Sequence, residues 1–312
     1  MQENYSNQKA NNADEEIDLR ELYYVLLKGK WIIFSVTAFI SIITVIYSLN
    51  LPNIYQSKTL LAPVDSSNNI SGALKGYSSI AGLAGISLPS GGSVSNFDKA
   101  LKKLNTLSFF ENKIMPNIFL PDLMAIKSWD NKTNSLIYDE SIYNKTSDTW
   151  PSNNSSGKPK PSAQQSFNVF RGIISISENS NTSFVTLAIK HQSPFVSKEW
   201  TELIVREIND FYREKDKLES QKAISYLNAQ MAMTNLSEIK QVIAELIKQE
   251  TQKLTLIEAN QFYVFDYIDP PAVMEQKSEP RRSLICVLGA VLGVILSFLI
   301  VLIRHYIYIE KP

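Results

Sequence analysis

Residues 31–49, WIIFSVTAFISIITVIYSL, and residues 284–303, LICVLGAVLGVILSFLIVLI, decide the class of this fold. Neither run contains Asp, Glu, Lys or Arg. Each holds about 20 residues, enough at about 1.5 Å per residue to cross about 30 Å of hydrocarbon as a helix. Two membrane spans are expected, at 31–51 and 284–303, with residues 52–283 on one side and both termini on the other. A mostly polar stretch precedes the first run and no small-residue cleavage pattern follows it, which argues against a cleaved signal peptide.

Charge orients the pair. Arg20, Lys28 and Lys30 precede the first run, and Arg304 and Lys311 follow the second, as expected of cytoplasmic flanks. Arg281 and Arg282 point the other way, but they belong to a long loop, and such loops translocate largely regardless of charge. Segments 1–30 and 304–312 are therefore expected in the cytoplasm and 52–283 outside it. The single cysteine, Cys286, lies in the second run, so the exported part has no disulfide and must be held by packing.

The 312 residues carry 31 basic and 31 acidic side chains. Nothing resembles the concentrated positive charge of a nucleic-acid binder, and no nucleic-acid partner is expected. Asn, Ser and Thr crowd 65–95 and 130–166, read as turns and solvated loops.

Between the spans, periodicity gives an α+β reading. Residues 14–30, DEEIDLRELYYVLLKGK, carry Ile17, Leu22, Val25 and Leu26 near helical spacing, which predicts a short amphipathic helix. Ile54 to Pro63 is β-rich. Residues 78–92, SSIAGLAGISLPSGG, are small and flexible, and without a following Gly-Lys-Ser/Thr they make no phosphate loop. Phe97 to Ile114 has helical spacing, with Pro116 and Pro121 expected to end it. Phe170–Ser177 and Ser183–Lys190 alternate around Asn179–Asn181, as a strand pair with a polar turn would.

Between Pro194 and Pro270 there is neither Pro nor Gly, and helix formers dominate. Val196, Trp200, Leu203, Ile204, Ile208, Phe211 and Tyr212 form one apolar stripe that thins through Leu218, Ile224, Leu227 and Met231. This predicts a base-packed helix whose far part leaves the base. Asn235 with Glu238 matches a capping pattern, so a break is placed near Thr234–Ser237 and a second helix from Glu238 to about Asn260 returns antiparallel.

Residues 268–297, IDPPAVMEQKSEPRRSLICVLGAVLGVILS, run a Pro-containing segment straight into the second span. Pro270, Pro271 and Pro280 cannot continue a helix and predict an extended connector over 263–283, serving as rigid linker or partner contact. Gly289, Gly293 and Ser297 form a small-residue ridge on the second span. Thr37, Ser41, Thr44 and Ser48 form another on the first. Such ridges permit close approach of the spans to each other, to neighbouring subunits or to a membrane partner.

This segment resembles the Wzz family, the chain-length determinants or polysaccharide co-polymerases of bacterial lipopolysaccharide synthesis. Residues 16–31 (EIDLRELYYVLLKGKW), 78–87 (SSIAGLAGIS) and 193–209 (SPFVSKEWTELIVREIN) resemble the family in the same order. Met274 departs from it, standing where members often carry another proline. The resemblance implies an inner-membrane protein with two transmembrane helices flanking a periplasmic domain. That domain would have a mixed α/β base (52–192) and a long helical hairpin (193–262), assembled as a ring-forming homo-oligomer. It implies control of the modal length of O-antigen through the O-antigen polymerase, nascent polysaccharide and membrane lipid, without catalysis.

Catalysis finds no foothold in the residues. His191 and His305 are the only histidines and fall on opposite sides of the membrane in this topology, so no His-based metal cluster or Ser-His relay forms. His191 reads as a surface residue after a strand, His305 as a membrane-flanking anchor, and Tyr306 and Tyr308 as interfacial aromatics. Glu207 with Asp210 and Glu214 with Asp216 read as a solvated helix face. No catalytic, metal or cofactor site is expected. The rival readings are a capsule or exopolysaccharide co-polymerase served by a separate tyrosine kinase, and a two-span periplasmic sensor. The short stretch after Ile303 weighs against both.

Overall fold

The computed structural model describes residues 19–64, 95–151 and 160–309. The Gly-rich stretch 78–92 lies outside the described residues, and Tyr306 and Tyr308 lie outside those whose side chains are described. The fold is mixed helix and sheet, with an apolar helix toward each end. Its residues form two compact units, one reaching to Leu51 and resuming at Glu279, the other Pro52–Ser278.

The first unit holds α1 (Leu19–Lys28), α2 (Lys30–Asn50) and the long C-terminal helix Arg282–Ile309. Gly29 sits between α1 and α2, and its N–H still bonds Val25 O at 3.0 Å. The two long helices are apolar and long enough to cross a membrane. Most of their large side chains, including Phe34, Phe39, Ile46, Leu288, Leu292 and Leu299, are exposed. A helix apolar on its open face suits hydrocarbon rather than water.

The second unit is built on a four-stranded antiparallel sheet of β1 (Tyr55–Pro63), β4 (Ile174–Glu178), β5 (Val185–His191) and β6 (Phe265–Asp269), in the order β4-β5-β1-β6. β1 pairs with β5 from Tyr55↔His191 to Leu61↔Val185, and a bulge at Leu60/Leu61 adjusts its pairing with β6. Val185, Leu187 and Ile189 share one face of the central strand and are fully buried, which suits β-branched and Leu side chains on a covered face. Over the sheet lies the first half of α6 (Pro194–Met233), burying Trp200, Leu203, Ile204, Ile208 and Tyr212 in one core with Phe109, Phe110, Phe170 and Phe265. The base also contains α3 (Asn96–Leu104), short helical turns over Leu107–Asn117, α4 (Leu120–Met124) and α5 (Ala163–Ile173), and a hairpin of β2 (Ile126–Asp130) and β3 (Ser135–Tyr138) stands apart from the main sheet.

α6 has 40 residues, about 60 Å of helix. Beyond the core it is met by α7 (Ser237–Ala259), and the pair encloses a second apolar cluster of Leu227, Val242, Ile243 and Leu246. α8 (Arg282–Ile309) completes the chain.

Several expectations are corrected. The helix expected over 97–114 breaks after Leu104, because Thr106 Oγ1 accepts from Phe109 N and restarts the backbone. Pro121 opens α4 instead of ending a helix, since a first-turn proline forfeits no helical hydrogen bond. The stretch 130–166 is not all loop. It contains β3 and the start of α5, whose Ser162 and Gln165 form a reciprocal cap. Phe170–Ile173 belong to α5, so β4 begins only at Ile174. The break at 234–236 is present, but Leu236 is the cap of α7 and no side chain of this turn caps it, so Asn235 does not serve.

Candidate functional site

α6 is anchored to the sheet through a polar seam. Ser57 N donates to Ser197 Oγ at 2.7 Å and Ser197 Oγ donates to Ile189 O at 2.9 Å, so one buried hydroxyl serves β1 and β5 together. His191, expected at the surface, is buried at the end of β5. Its Nδ1 accepts from Ser193 N at 3.0 Å and its Nε2 lies 3.0 Å from Asp122 O, which fits one neutral tautomer with the proton on Nε2. Burial holds its pKa below the ordinary histidine value. Nearby, Asp122 accepts from Tyr138 Oη at 2.6 Å, and burial raises the pKa values of both groups.

The root of the α6–α7 hairpin is locked by Asn209, which sequence reasoning passed over. Its Oδ1 accepts from the backbone N–H groups of Tyr263, Val264 and Phe265 at 3.1, 2.7 and 3.0 Å. Its Nδ2 donates to Phe265 O and Val205 O, both at 3.0 Å. Asp216 is not on a solvated face. It is buried, accepting from Tyr263 Oη at 2.5 Å and Asn96 Nδ2 at 2.6 Å, and burial with the facing carboxylate raises the Tyr263 pKa. Arg213 donates to the carbonyls of Asn260 and Gln261, and Lys217 pairs with Glu258. The signal was an Asn and an Asp seven residues apart on the buried side of a helix, two turns at 3.6 residues per turn.

After β6 the Pro-containing segment stays bound to the sheet. Thr59 Oγ1 donates to Asp269 O at 2.7 Å, Ser57 Oγ to Ala272 O at 3.0 Å, and Ser278 N to Ile54 O at 2.8 Å. Pro270 is exposed, Pro271 is buried and Pro280, in the other unit, is half-buried. The first part of the expected connector, Phe265–Asp269, is thus a sheet strand.

In the first unit the small-residue ridges face each other. A Cβ at Gly289 would lie 2.3 Å from Thr44 Oγ1, and one at Gly293 would lie 3.2 Å from Thr37 Cα. One at Gly29 would lie 2.7 Å from Val301 Cγ1. Positions ascend on α8 as they descend toward Gly29, so the helices run antiparallel. Ser297 and Ser48 are buried, Ser41 is half-buried, and Thr44 Oγ1 and Ser297 Oγ return to the Ile40 and Val294 carbonyls. Among the described residues no group of three or more His, Cys, Asp or Glu side chains is placed to hold a metal ion.

With this geometry in view, residues 15–108 match the family model described as Wzz, chain length determinant protein. Over this stretch the chain resembles the Wzz family. The match spans a little under a third of the chain and takes in α1, α2, β1 and α3. No curated protein matches. Among solved structures, the chain is similar to a "full-length bacterial polysaccharide co-polymerase" (12% identity, TM-score 0.41, covering 94% of this chain and 99% of that one). It is also similar to a fragment of WzzB, a polysaccharide co-polymerase from Salmonella Typhimurium (10%, 0.28, 73% and 100%). A third is a mutant of the Shigella flexneri lipopolysaccharide O-antigen chain-length regulator WzzB (11%, 0.21, 72% and 100%).

Proposed function

We propose that this Wzz-type chain is a two-span inner-membrane regulator of polysaccharide chain length, setting the modal length of lipopolysaccharide O-antigen together with the membrane polymerase. The observation that carries the reading is the Wzz match over 15–108, which includes the first apolar helix and the strand that follows it. Two membrane-length helices bracketing the large unit support the topology, with residues 52–283 in the periplasm and both ends cytoplasmic. A non-catalytic role is consistent with the use of Ser57, Thr59, Ser197 and Asn209 in holding backbone. Leu218, Tyr226, Met233, Leu236 and Leu256 stand exposed along the hairpin and offer apolar surface for a homo-oligomer.

The test is complementation of a strain lacking the gene, read as lipopolysaccharide ladders on gels. The intact chain restores a modal length, and variants within 217–258 shift the mode while polymer persists. Ladders identical with and without the chain overturn the reading. If instead the size distribution of a capsule or exopolysaccharide changes, the chain is a co-polymerase of that export route.

A further inference from the structure

Both ends of the Pro52–Ser278 unit leave it at one edge. Ser278 N and Oγ donate to Ile54 O at 2.8 and 3.2 Å, and Lys277 Nζ donates to Asn53 Oδ1 at 3.3 Å. In sequence, one end continues back into α2 and the other forward into α8, the two helices long and apolar enough to cross a membrane. At this same edge β1 begins with Tyr55, β5 ends with its register partner His191, and α6 starts three residues later at Pro194.

Three aromatic rings gather there from separate elements. Trp129 of β2 meets Tyr55 edge-on at 5.4 Å between centroids and Phe195 of the first turn of α6 at 6.4 Å. Phe195 is 47% exposed, and Tyr55 and Trp129 are half-buried. The hairpin that carries Trp129 is held firmly: Asp130 accepts from Lys132 N and Thr133 Oγ1, and Trp129 Nε1 donates to Asn134 Oδ1 at 3.0 Å. An aromatic cluster with one polar rim, at the edge where the chain enters and leaves the unit, has the composition of a membrane-interface belt.

We infer that Tyr55, Trp129 and Phe195 form an interfacial anchor that seats this edge of the unit in the headgroup region of the bilayer. The inference rests on the membrane-spanning reading of α2 and α8. The two are separable because Trp31 reports on the first apolar helix and Trp129 on the anchor.

The experiment uses the full chain in phosphatidylcholine–phosphatidylglycerol vesicles containing lipids brominated at shallow or deep acyl positions. In a Trp31→Phe, Trp150→Phe background only Trp129 and the buried Trp200 emit. Subtracting the spectrum after a further Trp129→Phe exchange isolates Trp129. Its emission is expected to be blue-shifted, and most of it lost to shallow bromines with less lost to deep ones. Phe195→Asp, which suits an exposed helix N-terminus and so spares the fold, should shift Trp129 emission to the red and reduce quenching. Trp129 emission insensitive to bromine at either depth overturns the anchor, whether it is water-exposed or covered by another protein copy. Trp31, isolated by comparing the intact chain with Trp31→Phe, is expected to be quenched. If Trp31 also escapes quenching, the membrane-spanning reading falls with the anchor.

Discussion

Asn209 ties the backbone of Tyr263, Val264 and Phe265 to the outgoing helix. Replacing it by Ala leaves the N–H groups of Tyr263, Val264 and Phe265 buried without their acceptor. An unsatisfied buried donor costs about 1–3 kcal/mol, so Asn209→Ala should lower stability by about 3 kcal/mol or more. Denaturant unfolding of the full chain in detergent measures it, and an unchanged midpoint would refute this account of the root. His191 gives a prediction in pH. Burial depresses its folded pKa, so the unfolded chain binds a proton that the folded chain lacks. Its contribution is whole above the ordinary value of about 6.5 and is lost as pH falls through that value toward the lower folded one. Asp122 acts in the opposite sense at more acid pH, because its raised folded pKa favours the protonated folded state. The melting temperature should therefore decline below about pH 6.5, and His191→Gln should flatten that part of the profile. Neither the Asn209 nor the His191 burial could be read from composition: the backbone N–H groups that Asn209 accepts from lie 54 to 56 residues away and the Asp122 carbonyl lies 69 residues from His191.

At the scale of elements, the apolar helices were the most legible part of the chain, because a run of about 20 uncharged residues has few other uses. The stripe from Trp200 to Tyr212 was equally plain, since helical spacing and burial coincide there. The hairpin of β2 and β3 was hidden by its own turn: Asp130, Asn131 and Asn134 look like loop, and Asn134 does adopt a positive φ of 49°. α5 carried a readable signal in Ser162 and Gln165, masked by the polar stretch before it. The ridge on α8 yields a test. A Cβ at Gly289 collides with Thr44, so Gly289→Val should destabilise the helix pair by about 1–3 kcal/mol, as overpacking does. Thr44→Ala should recover part of that loss, a coupling measurable by a double-mutant cycle in detergent. Additive effects would show that the two positions do not meet.

For the molecule as a whole, the α6–α7 hairpin has two separable supports. Its root belongs to the large core through Trp200, Ile208 and Ile257, whereas its far part rests on the separate cluster of Leu227, Val242, Ile243 and Leu246. Ile243→Ala removes a buried side chain from the smaller cluster and should cost about 2–4 kcal/mol there. Because the clusters are distinct, the loss should appear as local opening, with faster amide exchange across 224–250 and retained protection in Trp200–Tyr212. If the far hairpin sets chain length by its shape, this variant should broaden or shift the modal length while polymer continues to be made. Asn209→Ala, which attacks the root, should abolish modal control altogether. Equal ladders from the two variants would mean that the hairpin acts only as part of the fold, and length control would have to be sought in the base or in the paired apolar helices.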